Sequence, residues 1–196
     1  MLVEKIARIW SVNNHMPQQV DLIGLVTFGA TKDGLTQGSQ VTTRKALLLA
    51  KQHPEAKVAF GVFTLSHHQI EERVKRKSFE RPFFAGKVVS TIEEAEKIHN
   101  SLPFGFTPRN IVIVTDQWHS RSAKLVWERI WQNAIPKPSI YVCSVPSVKT
   151  VNADNPTRAL RSQWFWALVN VLRHLFLLFV PGSVWLMKKL NIHQPV

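Results

Sequence analysis

The chain has little cysteine and lacks several common catalytic and nucleotide-binding motifs. Cys143 is the only cysteine among 196 residues, which excludes an intramolecular disulfide and a zinc site built from cysteines. The sequence contains no Gly-x-Gly-x-x-Gly fingerprint, no phosphate-binding loop that ends in Lys-Ser/Thr, and no Gly-x-Ser-x-Gly elbow. These absences argue against classical dinucleotide, ATP and serine-hydrolase chemistry.

Acidic residues are scarce in the second part of the chain. Residues 117–196 contain two Asp/Glu against ten Lys/Arg, whereas residues 1–116 contain 11 against 15. A basic segment serves nucleic acid, anionic lipid headgroups or solubility, and charge alone does not separate these roles. The opening of the chain contains Glu4, Lys5 and Arg8 and no long apolar stretch, so no secretory signal is predicted there. We therefore expect a cytoplasmic globular domain.

The length predicts one domain with appendages. At 196 residues, the chain is long enough for one good hydrophobic core and short for two. No internal repeat or low-complexity linker divides it. We predict an N-terminal appendage at residues 1–19, an α/β domain at residues 20–155, and an apolar, basic helical tail at residues 156–196.

Apolar runs typical of strands alternate with segments of helical periodicity. The predicted strands are residues 20–28, 57–63, 83–89, 111–114 and 139–145; the predicted helices are residues 39–53, 66–77, 91–102 and 118–132, and after a turn at residues 152–156 a last helix begins at Thr157. Ser66 with Gln69, and Thr91 with Glu94, match capping boxes at helix starts. The alternation predicts a three-layer α/β sandwich, with a mainly parallel five-stranded sheet between helices and a C-terminal apolar helix.

A polar cluster follows the fourth predicted strand. Four β-branched residues, 111–114, precede Thr115, Asp116, His119 and Arg121, and ligands of open parallel sheets bind at the carboxyl ends of the strands. His119 suits a general base or a phosphate contact, and Arg121 suits a two-pronged contact with phosphate or carboxylate. Asp116 suits either orientation of His119 or a helix cap. A purely structural role stays open for all three.

Further candidate ligand contacts lie after predicted strands or on the helices that follow; they are Gly29, Thr31, Arg44, Thr91, Glu93 and Glu94. Gly29 and Thr31 belong to a glycine-rich loop whose backbone amides suit the approach of a ligand, and a simple turn is the alternative. Glu93 and Glu94 form an acid pair, which capping by Glu94 also explains. The adjacent His67 and His68 lack metal-ligand spacing, so no metal site is predicted.

The tail at residues 164–187 is more apolar than a normal surface helix. Asn170, Arg173 and His174 fall near one another on a helical wheel, and charge in the middle of a spanning helix is costly in hydrocarbon. A helix that lies in the plane of a membrane surface keeps such a stripe in water and places tryptophans such as Trp164 at the interface. Two alternatives are a last helix that covers the domain's own sheet and a homo-oligomer contact.

Residues 111–123, where a strand leads through Val-Thr to a histidine and an arginine, resemble the YdcF-like proteins, a bacterial family of unknown function. Residues 91–95 are similar to a second family motif, and Arg44, Gly61 and Glu71 are the nearest counterparts of three further family positions. The resemblance covers about residues 21–147. It implies a Rossmann-like α/β fold and a link to the bacterial envelope, with attachment peripheral to the inner membrane.

The resemblance also implies a ligand. It implies a nucleotide-like or phosphorylated ligand and S-adenosylmethionine as a cofactor associated with the family, but no settled reaction. From the residues themselves, the candidate catalytic group is His119, Asp116 and Glu71. We expect a small anionic ligand, and hydrolysis or transfer on a phosphorylated substrate is the reaction class that these residues suit. One alternative is an inactive pocket in a membrane-peripheral or protein-interaction module. Nucleic-acid binding is a second alternative, disfavoured because the tail's aromatics cluster with leucines and not with lysines.

Overall fold

The computed structural model describes residues 2–151, 155 and 158–189. In chain order its helices and strands are α1 (Leu2–Trp10), β1 (Leu22–Leu25), β2 (Ala30–Thr31), β3 (Gly34–Leu35), α2 (Gln37–Gln52), β4 (Lys57–Phe63), α3 (His68–Ser78), β5 (Phe83–Val88), α4 (Thr91–Ser101), β6 (Asn110–Asp116), α5 (Ser120–Ile130), β7 (Ser139–Val145), α6 (Gln163–Phe179) and α7 (Ser183–Lys189). Short 3-10 turns at Ser147–Lys149 and Arg158–Arg161 lie between β7 and α6.

The central sheet has five parallel strands in the order β5-β4-β1-β6-β7, with helices on its faces. Strand β1 pairs with β4 on one side and with β6 on the other, in a register that sets Leu25 beside Phe60 and Val114. The chain therefore runs outward twice from β1, and the strand order reverses between β1 and β6. This confirms the predicted Rossmann-like three-layer α/β sandwich and locates its topological switch point.

The strands form where the apolar runs predict them. Strands β4 and β7 have the predicted bounds, because each run is apolar and ends at a turn. Strand β1 is shorter than the predicted residues 20–28, since residues 26–29 form a loop at the end of the sheet. Every residue of β1 is buried, as expected for a central parallel strand that is covered on both faces.

Both predicted capping boxes are wrong. Helix α3 begins after His67, and the Ser66 hydroxyl instead donates to the carbonyl oxygen of Phe63 over 2.9 Å. Helix α4 is capped one residue earlier than predicted, because the Ser90 hydroxyl accepts from the backbone N–H of Glu93 over 3.2 Å. Glu93 therefore lies at the position predicted for Glu94, and Glu94 itself points into the core, where it is 1% exposed.

Two apolar clusters fill the spaces on the two faces of the sheet. One includes the buried rings of Trp127 and Trp166, and the other includes Leu25, Phe60 and Val114. The first cluster requires a glycine in β1. A Cβ atom built on Gly24 would lie 2.3 Å from the Cη2 atom of Trp127, so the indole packs directly on the strand backbone.

Helix α1, the segment after it and α6 pack together on the domain. The Trp10 ring of α1 contacts the His174 ring of α6 edge-on, with centroids 5.5 Å apart, and Asn14 pairs with Val142 at the free edge of β7. No helix in the described ranges is long and apolar enough to cross a membrane. Most of the predicted turn at 152–156, the predicted helix start at Thr157, and residues 190–196 of the tail lie outside the described residues.

Candidate functional site

The crevice at the switch point is filled by side chains of the protein itself. It lies between the loop after β1 and the loop after β6, where ligands bind in folds of this kind. Trp166 of α6 reaches into it and is 0% exposed. Its ring centroid lies 6.4 Å from that of Phe28 and 5.8 Å from that of His119. The indole therefore packs between the loop after β1 and the loop after β6.

Asp116 ends β6 beneath this indole and is fully buried. Its Oδ2 atom accepts from Nε1 of Trp166 over 2.7 Å, and its Oδ1 atom accepts from the Ser147 hydroxyl over 3.2 Å and from the backbone N–H of His119 over 3.0 Å. Burial raises the pKa of Asp116 to about 6, against the opposing effect of these hydrogen bonds. The carboxylate thus holds the turn before α5, as a cap does, and does not contact the ring of His119.

The ring of His119 is held by three other side chains. Its Nδ1 atom lies 2.7 Å from Oδ1 of Asn170 and 3.1 Å from the Ser122 hydroxyl, and its Nε2 atom lies 2.8 Å from the Thr91 hydroxyl. The Asn170 amide nitrogen donates to the carbonyl oxygen of Trp166, so its oxygen faces the ring and Nδ1 carries the proton. The Thr91 hydroxyl then donates to Nε2.

The protonation state of His119 follows from this environment. Burial and the nearby charge of Arg173 lower the pKa of His119 to about 3, although the bond to Asn170 opposes that change. Burial also lowers the pKa of Arg173 to about 10. His119 is therefore neutral at neutral pH, and in this arrangement it offers no positive charge to an anion and no unoccupied nitrogen to a reacting group.

Arg121 points away from the crevice. Its Nε–H donates to the carbonyl oxygen of Trp10, and its guanidinium lies 5.0 Å from the centroid of the Trp10 ring. Residues two positions apart at the start of a helix point in different directions around the helix axis. Arg121 and His119 therefore face different parts of the molecule. Arg121 fastens α1 to the domain.

A second cluster of buried polar groups lies at the ends of β1 and β4. The ammonium of Lys75 is 2.8 Å from Oε1 of Glu71 and 3.2 Å from the hydroxyl oxygen of Thr27, and both charged side chains are 0% exposed. The Thr27 hydroxyl donates to the same Glu71 oxygen. The other oxygen, Oε2, accepts from the backbone N–H of Phe63 over 2.9 Å. A threonine hydroxyl therefore lies between an ammonium and a carboxylate.

Glu94 completes this cluster from α4. Its two oxygens accept from the backbone N–H groups of Gly61 over 3.0 Å and of Thr27 over 3.3 Å. Burial raises the pKa of Glu94 to about 7, although the charge of Lys75 and these bonds oppose the change. The cluster thus contains one carboxyl group that exchanges a proton near neutral pH. This carboxyl group is held at the strand ends by hydrogen bonds from backbone N–H groups.

An open cavity of about 620 Å³ lies at the same edge of the sheet, beside the start of α2. Its lining is mostly polar and consists of Ala30, Thr31, Lys32, Asp33, Leu35, Thr36, Gln37, Gln40, His67 and Asn155. Gly29 turns the chain into this lining with a φ of 81°, and a Cβ atom there would lie 3.0 Å from the Ser66 side chain. The predicted loop residues Gly29 and Thr31 therefore adjoin an accessible cavity.

The sequence-predicted residues fall into separate groups. Thr91, Asp116 and His119 meet in the filled crevice, Glu71 and Glu94 meet in the second cluster, and Gly29 and Thr31 adjoin the open cavity. The remaining predicted residues are Thr115, Arg44, Glu93 and Arg121.

Thr115 is buried within β6, and its hydroxyl has no hydrogen-bond partner among the described residues. Arg44 lines a shallow groove with Leu47 and Val74. Glu93 accepts from the N–H of Val89 over 2.8 Å.

Sequence reasoning missed three residues that complete these sites. Lys75 lies one helical turn after Glu71, but Arg76 has the same spacing from Glu72 and their pair is exposed, so spacing did not distinguish them. Trp166 and Asn170 belong to the tail, and no local signal connects them with Asp116 and His119. In the described part of the chain, no group of three or more His, Cys, Asp or Glu side chains is placed to hold a metal ion.

The crevice does not fit the cofactor that the resemblance implies. In a Rossmann-like fold a nucleoside lies at the switch point, and here the indole of Trp166 fills that volume while its N–H occupies the Asp116 carboxylate. S-adenosylmethionine therefore has no room in this arrangement. Comparison of the chain with protein-family models, with curated proteins and with solved structures finds no match.

Proposed function

We propose that the protein binds a small anionic, nucleotide-like or phosphorylated ligand at the C-terminal edge of its sheet, and that it is a YdcF-like protein at the surface of a bacterial membrane. The observation that carries the ligand proposal is the open cavity beside α2. It adjoins the edge at which parallel α/β sheets bind ligands, and its volume of about 620 Å³ lies within the usual range for ligand pockets.

The chemistry of the cavity favours an anion. Gln37 and Gly38 form the first turn of α2, whose N–H groups precede the first hydrogen bond within the helix and carry its positive dipole end. No acidic residue lies in that turn. Lys32 adds a positive charge to the lining, and His67 adds a ring nitrogen. Asp33 is the one acidic residue among the residues that line the cavity.

The loop that forms the cavity is held by hydrogen bonds to side chains at the start of α2, one of which also contacts the buried cluster. The Ser39 hydroxyl donates to the carbonyl oxygen of Gly29 over 2.8 Å and lies 3.3 Å from Oε1 of Glu71. The Thr36 hydroxyl donates to the same carbonyl oxygen over 3.1 Å. A loop fixed in this way is ordered before the ligand arrives, which reduces the entropy cost of binding.

A thermal-shift screen tests the ligand proposal. The panel contains nucleotides, sugar phosphates and prenyl phosphates, and a ligand at about one hundred times its dissociation constant adds about 2.7 kcal/mol to the free energy of unfolding. Lys32→Ala is expected to reduce the shift. Lys51→Ala is the matched control, because Lys51 lies in the last turn of α2, at the end of that helix opposite to the cavity. A panel without any shift would refute the ligand proposal.

A second candidate function is a non-catalytic interaction module, and the filled crevice favours it. Asp116 and His119 bond to the protein's own Trp166 and Asn170, so this pair serves the attachment of α6. The membrane part of the proposal has separate support in α6, whose outward side chains include Leu168 and Leu172 at 54% and 57% exposure. Liposome flotation, described below, tests it without any small ligand.

A further inference from the structure

Helix α6 is apolar on the side that faces the domain and also on the side that faces away. Its inward residues Trp166, Ala167 and Leu177 are buried against the core. Large apolar side chains also point outward from α6 and α7 and are 42–72% exposed; they are Trp164, Phe165, Leu168, Leu172, Leu175, Leu178, Phe179 and Trp185, which we call the outer face. An exposed apolar face of this extent is normally covered by a partner or by a membrane, so the outer face needs a cover.

The outer face continues onto a neighbouring helix. Helix α1 packs beside α6 through Trp10 and His174, and it exposes Leu2, Ile6 and Ile9, which recur at helical spacing. Exposed apolar surface of this extent on a soluble protein marks an interaction site and not ordinary surface variation.

The charges around the outer face indicate what covers it. The sequence contains no Asp or Glu after Asp154. Arg161 is exposed before α6, and Lys188 and Lys189 are exposed at the end of α7. Lys188 is paired with Glu96 over 2.8 Å, whereas Lys189 lies 4.9 Å from the centroid of the Trp185 ring. The residues that border the outer face before α6 and at the end of α7 are therefore cationic.

This border favours an anionic lipid surface over a second copy of the chain. Two outer faces brought together would set Arg161, Lys188 and Lys189 of one copy against the same cations of the other, and like charges across an interface are costly. Anionic headgroups instead attract such residues by about 1 kcal/mol for each Lys or Arg near the surface. Trp164 and Trp185 lie at the two ends of the face, and tryptophan is enriched at membrane interfaces.

We infer that the outer face docks in the plane of an anionic lipid bilayer. This rests on the proposed membrane location and names its lipid and its contact surface. The inward side chains of α6 stay bonded to the domain, through Trp166 to Asp116 and through Asn170 to His119. The helix therefore lies on the bilayer as an in-plane helix, with its exposed leucines among the acyl chains and with Arg161, Lys188 and Lys189 at the headgroups.

Flotation of the full chain tests this inference. The protein is mixed with vesicles of phosphatidylcholine alone or with added phosphatidylglycerol, and the fraction that floats is measured at low and high salt. We expect binding to the anionic vesicles that weakens with salt, because screening reduces the headgroup attraction. The double change Leu168→Gln with Leu172→Gln is expected to lower the partition coefficient on the order of a hundredfold, about tenfold for each leucine.

The matched control is Leu48→Gln, because Leu48 is 55% exposed on α2 and lies outside the outer face. It is expected to float as the unchanged protein does, and all variants are checked for native circular dichroism. Absence of flotation with the anionic vesicles overturns the inference. So does a dimer in solution that Leu168→Gln with Leu172→Gln converts to a monomer, since a second copy would then be the cover. The ligand-induced thermal shift is measured without vesicles, so failure of the ligand proposal is seen separately.

Discussion

The indole N–H of Trp166 donates to Oδ2 of Asp116 over 2.7 Å and joins two residues that are 50 positions apart. This bond fastens α6 to the end of β6 at the switch point. It gives a buried carboxylate a partner from a helix that also carries the apolar outer face. The same helix therefore closes the expected ligand crevice and presents the surface that we assign to lipid.

Trp166→Phe is expected to destabilise the fold by about 1–3 kcal/mol. The change keeps an aromatic ring in the crevice but removes the donor to a buried carboxylate, and an unsatisfied buried group carries a cost of that size. Guanidinium unfolding measures the free energy. Trp185→Phe is the control, since Trp185 is 62% exposed and surface changes usually lie within about 0.5 kcal/mol. Equal stability of the two variants would contradict the assigned role of the bond.

Lys75→Met is expected to destabilise the fold by about 3–5 kcal/mol, because it leaves the Glu71 carboxylate buried without its cation. Arg8→Met removes an ion pair of the same spacing with Glu4, but there the side chains are 69% and 35% exposed. That change is expected to lower the free energy of unfolding by about 0–1 kcal/mol. Urea unfolding of both variants measures the contrast, and a small effect of Lys75→Met would show that the cluster is hydrated.

Glu94 is expected to make the fold less stable as the pH rises from about 4.5 to 7. Its pKa is raised from 4.5 to about 7 in the folded protein, so the folded state holds more protons than the unfolded state in this window. The stabilisation is complete below pH 4.5 and is lost as the pH rises through 7. Its size is on the order of 3 kcal/mol.

Denaturant unfolding of the protein and of Glu94→Gln, compared at several pH values, isolates this contribution. Asp116 and His119 also have shifted pKa values, but they are present in both proteins and cancel in the difference. A difference that does not change with pH would rule out the raised pKa of Glu94.

His119 is expected to remain neutral, with its proton on Nδ1, down to about pH 3, because its pKa is lowered to about 3. Long-range proton–nitrogen correlation spectra distinguish the two neutral tautomers and the imidazolium. The contribution of His119 to the free energy of unfolding depends on pH with the opposite sign to that of Glu94. It is present above pH 6.5 and is lost as the pH falls through about 3. A titration of the His119 ring between pH 5 and 8 would disprove the buried arrangement.

Gly24→Ala is expected to destabilise the fold by about 1–3 kcal/mol, because the new methyl group would lie 2.3 Å from the Trp127 ring in a close-packed core. Trp127→Phe removes the ring atoms that the methyl group meets. The double variant is therefore expected to be more stable than the sum of the two single changes predicts. A double-mutant cycle from thermal unfolding measures this coupling, and strict additivity would mean that the backbone moves aside.

The alternation of strands and helices is determined by the sequence. The runs that became β4 and β7 are apolar over a full strand length, and burial on both faces of a parallel sheet requires such runs wherever they lie in the chain. The local spacing of apolar residues indicates whether a buried segment is a strand or a helix. It predicts the residue at which a helix begins less exactly: Ser90 and not Thr91 caps α4, because neighbouring hydroxyl residues offer equivalent caps.

The partners of the polar residues were decided only by the tertiary structure. Asp116 and His119 were identifiable as residues after a strand, but the segment that covers them comes from Trp166 and Asn170, far along the chain. Thr27 and Glu71, 44 residues apart, likewise share a hydrogen bond in the second cluster. A sequence pattern specifies that a group is buried, whereas the identity of its partner depends on which remote element packs there, and no local repeat encodes that choice.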